Sequence, residues 1–209
     1  MKKKKLLFGG LTLAASLMLV TPVFADDSAT SESSITIGPG NGPTQPIDPE
    51  PKPEPPGTGN TGELTIDYVT PLRFEGKISE KDEVYITTAH NPNVQVTDRR
   101  GTGEGWSLQV SATPFVDENT NKTLKGAQLT LPQGSARTLP ENISPAPKDL
   151  RKVVLSEETN ILMQAQKDEG MGTWIDKFNP VEVTLSVPTG NYVGDYVSTL
   201  NWSLVAAPQ

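Results

Sequence analysis

The sequence lacks cysteine and has a single histidine among its 209 residues. Without cysteine the chain can form no disulfide framework, no zinc–thiolate site, no thiolate nucleophile and no lipoprotein anchor. One histidine likewise excludes a histidine-rich metal cage, and we expect no metal and no cofactor. Aromatic residues make up only 6% of the chain, so each of its three tryptophans is informative.

Positive charge is also scarce, because 18 Lys+Arg face 25 Asp+Glu and the formal net charge is −7. Proteins that bind DNA or RNA neutralise backbone phosphates with basic residues. The acidic balance therefore argues against a nucleic-acid partner.

The first 25 residues have the three parts of a secretory signal peptide. Lys2 to Lys5 form a basic region, an apolar stretch of 15 residues runs from Leu6 to Val20, and Val23-Phe24-Ala25 is a small-residue cleavage site. The alternative, a retained transmembrane helix, needs ~20 apolar residues, and Pro22 interrupts this one. Cleavage would remove four lysines and no acidic residue, which takes the net charge from −7 to −11. We expect an exported protein without a transmembrane anchor, and export without cysteine fits a Gram-positive surface.

Residues 26–62 differ in composition from the rest of the chain. Eight of these 37 residues are proline, six are glycine and none is aromatic. So few large apolar residues cannot offset the entropy lost on ordering the chain. The densest part, Pro49-Glu50-Pro51-Lys52-Pro53-Glu54-Pro55-Pro56, favours polyproline II at ~3.1 Å per residue. The sequence therefore predicts a disordered, Pro-rich linker over 26–62.

The remaining residues, 63–209, predict one all-β domain of the β-sandwich type. Short stretches with period-two alternation recur between Gly and Pro turn signals, and no 3.6-residue period is sustained. The predicted strands cover 64–69, 84–86, 94–96, 106–113, 128–131, 161–166, 181–187 and 196–205. One short helix is expected at 147–153.

The tripeptide Trp-Ser-Leu occurs twice in this domain, at Trp106 to Leu108 and at Trp202 to Leu204. Each copy lies in a strand with one apolar and one polar face. The chain resembles the WxL domain of Gram-positive surface proteins, in these two motifs and in the residues around them. The matching surroundings are Asp98-Arg99-Arg100-Gly101-Thr102-Gly103-Glu104-Gly105 before the first copy, Gly172-Thr173-Trp174 between the copies, and Tyr196 to Pro208 around the second. The resemblance covers nearly all of 63–209.

The resemblance implies non-covalent attachment to the cell wall through peptidoglycan or an associated polysaccharide. It also implies association with other surface proteins of the same gene cluster, so a structural or adhesive subunit of a surface complex is the alternative function.

The residues leave two interpretations of the motifs open. Trp and Leu two positions apart on a strand point the same way, so both apolar pairs could be core. Alternatively, at least one Trp is exposed as a platform for a sugar ring or an apolar peptide stem. The candidate binding residues are Trp106, Leu108, Trp202, Leu204 and Trp174, the last expected in a loop after Gly170-Met171-Gly172.

No pattern of catalytic residues stands out, and we expect a protein that is not an enzyme. The sequence contains neither Gly-x-Ser-x-Gly nor Ser-x-x-Lys. Adjacent carboxylates such as Asp117-Glu118 are typical of solvated turns, although they leave a glycosidase pair open. The Asp117-x-Asn119-x-Asn121 spacing lacks the Gly and Glu of a calcium loop. Arg99-Arg100 remains a candidate contact for a carboxylate or phosphate.

Overall fold

A computed structural model describes residues 28–51 and 56–207. The expected signal peptide, residues 1–25, lies outside the described residues. The chain divides into two units after Thr36, and the described part of the first, residues 28–36, is exposed and contains neither helix nor strand. All the strands below belong to the second unit, which begins at Ile37.

Fifteen β-strands occur in the described part of the chain. They are β1 (Leu64–Val69), β2 (Glu83–Ile86), β3 (Asn93–Asp98), β4 (Trp106–Ala112), β5 (Val116–Asp117), β6 (Lys122–Thr123), β7 (Gln128–Leu131), β8 (Ser135–Thr138), β9 (Lys148–Asp149), β10 (Val153–Val154), β11 (Asn160–Ala165), β12 (Gly172–Lys177), β13 (Thr184–Val187), β14 (Tyr196–Val197) and β15 (Leu200–Ala206). One 3₁₀ turn, Pro180–Glu182, precedes β13.

The strands form four antiparallel sheets, and no α-helix occurs among the described residues. The first sheet has the order β1-β3-β12-β8, the second β10-β7-β13-β2, the third β15-β4-β11-β9 and the fourth β14-β5-β6. This arrangement confirms the prediction of an all-β, sandwich-like domain. No helix in the described ranges has the length and apolar character needed to cross a bilayer.

One hydrophobic core joins the first three sheets. Val96 of β3, Leu129 of β7 and Leu108 of β4 belong to the same buried cluster. Alternation along a strand places every second side chain on one face, and β4 buries Trp106, Leu108, Val110 and Ala112 in this way. Burial of these faces, at about 25 cal/mol per Å² of apolar surface, is the main force that holds the sheets together.

The prediction of a short helix at 147–153 is wrong. Lys148–Asp149 and Val153–Val154 form β9 and β10 instead. β9 pairs with β11, and β10 pairs with β7. Neighbouring strands supply hydrogen-bond partners that a single helical turn does not have, and the β-branched Val153 and Val154 favour a pleated surface.

The segment expected to be a linker contacts the domain. Thr58 donates its backbone N–H to the Asp67 carbonyl at 2.8 Å, and Gly40 donates to the Arg99 carbonyl at 3.1 Å. Residues on both sides of the undescribed stretch 52–55 therefore lie against the first sheet.

Candidate binding groove

The two Trp-Ser-Leu motifs lie on adjacent strands. β4 and β15 are antiparallel neighbours in which Leu108 lies opposite Leu204, Trp106 opposite Ala206 and Trp202 opposite Val110. All of these side chains point to the same side of the third sheet, since paired residues share a face. The fold thus joins the two apolar patches that are 96 residues apart in sequence.

Trp106 and Leu108 lie in the core with none of their surface exposed. The indole Nε1–H of Trp106 donates to the Gly170 carbonyl oxygen at 3.0 Å, which satisfies the one polar atom of this buried ring. Burial of both residues agrees with the core interpretation of the first motif.

Gly170 makes room for this indole. Its φ is +71°, and a Cβ at this position would lie 2.9 Å from Trp106 Nε1 and 2.5 Å from Ala165 Cβ. Glycine is therefore required here both by its backbone conformation and by the close approach of the tryptophan.

Trp174 is also buried, with 4% of its surface exposed. The sequence placed it in a loop, but it lies in β12, opposite Val96 of β3 and Thr138 of β8. That expectation is wrong because pairing with β3 continues to Gly172. The Trp174 indole N–H donates to the Met171 carbonyl at 2.9 Å, so it anchors the preceding turn.

Trp202 and Leu204 are only partly buried and pack on the edge of the core. Trp202 also lines a surface groove with a volume of about 980 Å³. Of the five candidate residues from the sequence, Trp202 is the one that lines this groove.

The groove is rich in aromatic residues. Half of the twelve aromatic residues in the sequence line it, namely Phe74, Tyr85, Phe115, Tyr192, Tyr196 and Trp202. Apolar side chains such as Leu129 and Leu185, which belong to the buried core, form part of its lining. A concave surface that combines aromatic and apolar side chains with polar groups is typical of a ligand site.

Two segments form the sides of the groove. One is the loop at residues 71–81, and the other is the loop from residue 188 that leads into β14 and ends at residue 198. The first is held to β2, where Tyr85 donates its hydroxyl hydrogen to the Lys77 carbonyl at 2.7 Å.

The second loop is fastened to the hairpin of β5 and β6. The Asn191 side chain accepts the Lys125 backbone N–H at 2.8 Å and donates to the Lys125 carbonyl at 3.0 Å. The Asp117 carboxylate accepts the Asp195 backbone N–H at 3.1 Å. The ammonium group of Lys122 stands 3.5 Å from the centre of the Tyr192 ring.

Asp117 is buried and acts as a fixed hydrogen-bond acceptor. The backbone N–H of Thr120, with those of Asn119 and Asp195, holds the pKa of the Asp117 carboxyl below its usual value. Hydrogen bonds to the charged form have this effect. Asp117 is thus ionised at neutral pH and ties the hairpin to the loop that carries Tyr192 and Tyr196.

The charges around the groove are mixed. Arg73, Lys77 and Lys81 line it together with Glu75 and Glu83. A site with both signs of charge and six aromatic residues in its lining depends on short-range contacts more than on long-range attraction.

The side chains of Arg99 and Arg100 form hydrogen bonds and ion pairs with other residues of the chain. Arg100 bonds to the Asp98 carboxylate at 2.7 Å and to Glu104 at 3.2 Å. The hydrogen bond to Asp98 raises the pKa of the Arg100 guanidinium. Arg99 donates to the Gly62 carbonyl and to the Thr44 hydroxyl. Through these contacts both side chains stabilise the loops around them.

Five of the six aromatic residues of the groove were not predicted from the sequence. They come from segments that are distant along the chain, and no local motif links them. One signal was available, since Tyr192 lies between Gly190 and Gly194 after Pro188, in a segment where a loop aromatic is exposed.

The strands define an all-β, sandwich-like domain that carries a surface groove lined in part by aromatic residues. A family model, described as WxL domain surface cell wall-binding, matches residues 25–208. The chain therefore belongs to the WxL family and is a surface protein that binds the cell wall. No curated protein and no solved structure matches it.

Proposed function

We propose that this protein is exported after removal of residues 1–25 and attaches non-covalently to the Gram-positive cell wall through its aromatic groove. The ligand is peptidoglycan or an associated wall polysaccharide. Membership of a cell-wall-binding family supplies the general function, and the groove supplies the contact surface.

The observation that carries this proposal is the presence of Trp202 among the six aromatic residues of one groove. Aromatic rings present flat apolar faces that stack on the C–H faces of sugar rings, and the rings of Tyr and Trp also carry a polar atom at the edge. Tyr192 is well placed for this role, since 63% of its surface is exposed. A volume of about 980 Å³ lies at the upper end of the range for small-molecule sites, which suits a segment of a polymer.

The buried aromatic residues have a supporting role in this proposal. Trp106 and Trp174 offer almost no surface to a ligand. They fix the third and first sheets, respectively, on which the groove is built. Leu108 and Leu204 join the two Trp-Ser-Leu strands and so position Trp202.

Binding to protein-free sacculi tests the proposal. The chain from residue 26 to 209 is mixed with purified sacculi, and the bound fraction is measured over a range of wall concentrations. We expect Tyr192→Ala and Trp202→Ala to weaken binding by about tenfold or more, which corresponds to roughly 1.4 kcal/mol. Circular dichroism must show that each variant is folded.

Val154→Ala is the matched control. Val154 is exposed, does not line the groove and lies on β10, at the opposite edge of the second sheet from β2. Unchanged binding by folded Tyr192→Ala and Trp202→Ala, equal to that of Val154→Ala, would show that the wall contact lies elsewhere.

A second candidate function is assembly with another surface protein of the same cluster. The observation in its favour is a set of exposed apolar side chains around the groove, Ile78, Tyr192, Val193 and Val197, of which Val193 is 81% exposed. Apolar and aromatic patches of this kind mark protein interfaces. If the wild-type chain binds walls that retain their surface proteins but not stripped sacculi, this second function is the correct one.

A further inference from the structure

The groove has few neutral hydrogen-bond donors left for a ligand. Among the described residues, ten uncharged side chains with an O–H or N–H group line it. Eight of them already donate to other groups of the protein, at distances of 2.6–3.4 Å. Tyr85, for example, donates to the Lys77 carbonyl, and Ser198 donates to the Thr113 carbonyl. These eight side chains hold the groove together and have no hydrogen left to donate to a ligand.

The two remaining donors are the Tyr192 hydroxyl and the Trp202 indole N–H. Neither group has a hydrogen-bond partner within residues 28–51 and 56–207, and both side chains keep contact with solvent. An indole N–H donates a hydrogen bond but cannot accept one. A ligand that uses both groups must therefore offer hydrogen-bond acceptors.

Tyr192 is held in position although its side chain is exposed. Its backbone carbonyl accepts the Tyr196 hydroxyl hydrogen at 3.0 Å, and the preceding residue, Asn191, forms two hydrogen bonds with the backbone of Lys125. The Lys122 ammonium lies over one face of the Tyr192 ring, 3.5 Å from its centre, which leaves the other face and the hydroxyl for a ligand. A side chain that is already fixed loses little entropy when it binds.

The rest of the lining is either apolar or charged. Leu129 and Leu185 belong to the core, and Phe115 packs against it. The charged side chains, such as those of Arg73 and Lys77, are long and exposed, so that fixing them costs side-chain entropy. Two neutral donors beside an apolar surface cannot replace the water around a ligand that buries many hydroxyl groups, and each hydroxyl left without a partner weakens binding. A secondary amide next to a methyl group suits this surface better, because it has one strong acceptor and an apolar end.

We propose that Tyr192 and Trp202 donate hydrogen bonds to amide carbonyl oxygens of the wall, and that the methyl group beside such a carbonyl packs on the apolar lining. This inference rests on the proposed contact between groove and wall, and it names the chemical group that the groove recognises. Peptidoglycan carries this group in two places, the acetamido substituents of its amino sugars and the alanine residues of its stem peptides.

Tyr192→Phe tests the role of the hydroxyl, because this variant keeps the ring. Binding of the chain 26–209 to purified sacculi is measured over a range of wall concentrations, after circular dichroism has shown that the variant is folded. We expect the affinity to fall about two- to tenfold, as for the net loss of one hydrogen bond, and to fall less than in Tyr192→Ala. Tyr68→Phe is the matched control and should bind like the wild type, because Tyr68 does not line the groove and its hydroxyl accepts the Glu50 backbone N–H.

Two treated walls identify the source of the carbonyl. The acetamido groups are removed from the glycan of one wall, and the stem peptides are cleaved from the other with an amidase. We expect the wild type to bind at least one of these walls more weakly, and Tyr192→Phe to cause no further loss there, since the hydroxyl has lost its acceptor. If that wall is the deacetylated one, chemical re-acetylation should restore both binding and the effect of the variant, which separates loss of the carbonyl from the positive charge that deacetylation creates.

Equal binding of untreated sacculi by the wild type and Tyr192→Phe overturns this inference. An effect of Tyr192→Phe that persists unchanged on both treated walls overturns it as well. Both results leave the proposed function intact, because the wild type still binds the wall. A wild-type chain that does not bind untreated sacculi contradicts the proposed function, and this inference fails with it.

Discussion

Leu108 and Leu204 lie directly opposite each other on the antiparallel strands β4 and β15. This pair joins the two Trp-Ser-Leu motifs, but it does not bring the two tryptophans side by side. Trp106 pairs with Ala206, and Trp202 pairs with Val110, four residues further along β4. At about 3.4 Å per residue the two indoles are separated by roughly 14 Å along the strand. One therefore lies in the core and the other at the groove.

Trp106→Ala is expected to destabilise the protein far more than Trp202→Ala. Trp106 is completely buried and donates a hydrogen bond to Gly170. Its replacement by Ala should therefore lower the free energy of unfolding by about 3–5 kcal/mol, as for other aromatic core residues replaced by Ala. Trp202 keeps solvent contact and leaves a smaller cavity. Urea unfolding followed by circular dichroism measures both, and equal losses would contradict the different positions of the two rings.

Wall binding is expected to be insensitive to salt. The groove carries both signs of charge, and the chain as a whole is acidic. At about 1 M salt the Debye length falls to roughly 3 Å, which screens attraction between separated charges. Sacculus binding measured up to this salt concentration should hold or improve. A steep loss would mean that basic residues at the groove, such as Arg73 or Lys77, contact an anionic ligand.

The free energy of unfolding is expected to depend on pH because of Asp176. Its carboxyl group is completely buried and lies beside that of Asp149, with no other hydrogen-bond partner among the described residues. Burial raises the pKa of Asp176 well above its usual value, and the charge of the neighbouring Asp149 raises it further. The pKa of Asp149 is raised too, mainly by burial, although Arg137 and the Ala136 N–H act in the opposite direction.

The direction in which stability changes with pH follows from the raised pKa of Asp176 in the folded state. The stabilising effect of a neutral Asp176 is complete below the unfolded pKa of about 3.9 and is lost as the pH rises through the folded value. Asp176→Asn, which is neutral at every pH, should therefore gain stability relative to wild type as the pH increases from about 5 to 8. Urea midpoints of both proteins across this range give the difference. Glu157→Gln, at an exposed carboxylate, is the control and should show no such trend.

Asp117→Ala is expected to weaken wall binding without loss of the fold. The variant removes the acceptor for the Thr120 and Asp195 N–H groups, so the loop at 188–198 loses one attachment to the β5–β6 hairpin. Because the Asp117 pKa is lowered, its contribution is present at neutral pH and is lost only when the pH falls through the folded-state pKa.

Glu118→Ala is the control for Asp117→Ala, because Glu118 is the next residue and is exposed. This variant should bind sacculi like the wild type. Hydrogen exchange at residues 190–196 would show whether the loop is loosened. If Asp117→Ala binds normally while exchange in this loop increases, the loop is not part of the wall contact.

Local alternation predicted most of the longer strands. β1 and β7 begin and end where the pattern placed them, and β4 differs by one residue. The pattern missed β5, β6, β9 and β10, because strands of two residues are too short for a period to develop, and it also missed the four-residue strand β8. It also missed β12, where two glycines suggested a loop while the partner strand β3 imposed an extended backbone.

The sequence by itself determined the class of protein, because the repeated Trp-Ser-Leu strands with their flanks are readable without coordinates. Alternation also determined which side of each such strand is apolar. Only the tertiary structure decided which tryptophan is covered, since exposure depends on the strands and loops that pack against that face. The groove likewise exists only in three dimensions, because its aromatic residues lie far apart along the chain and meet through the pairing of strands and the hydrogen bonds between loops.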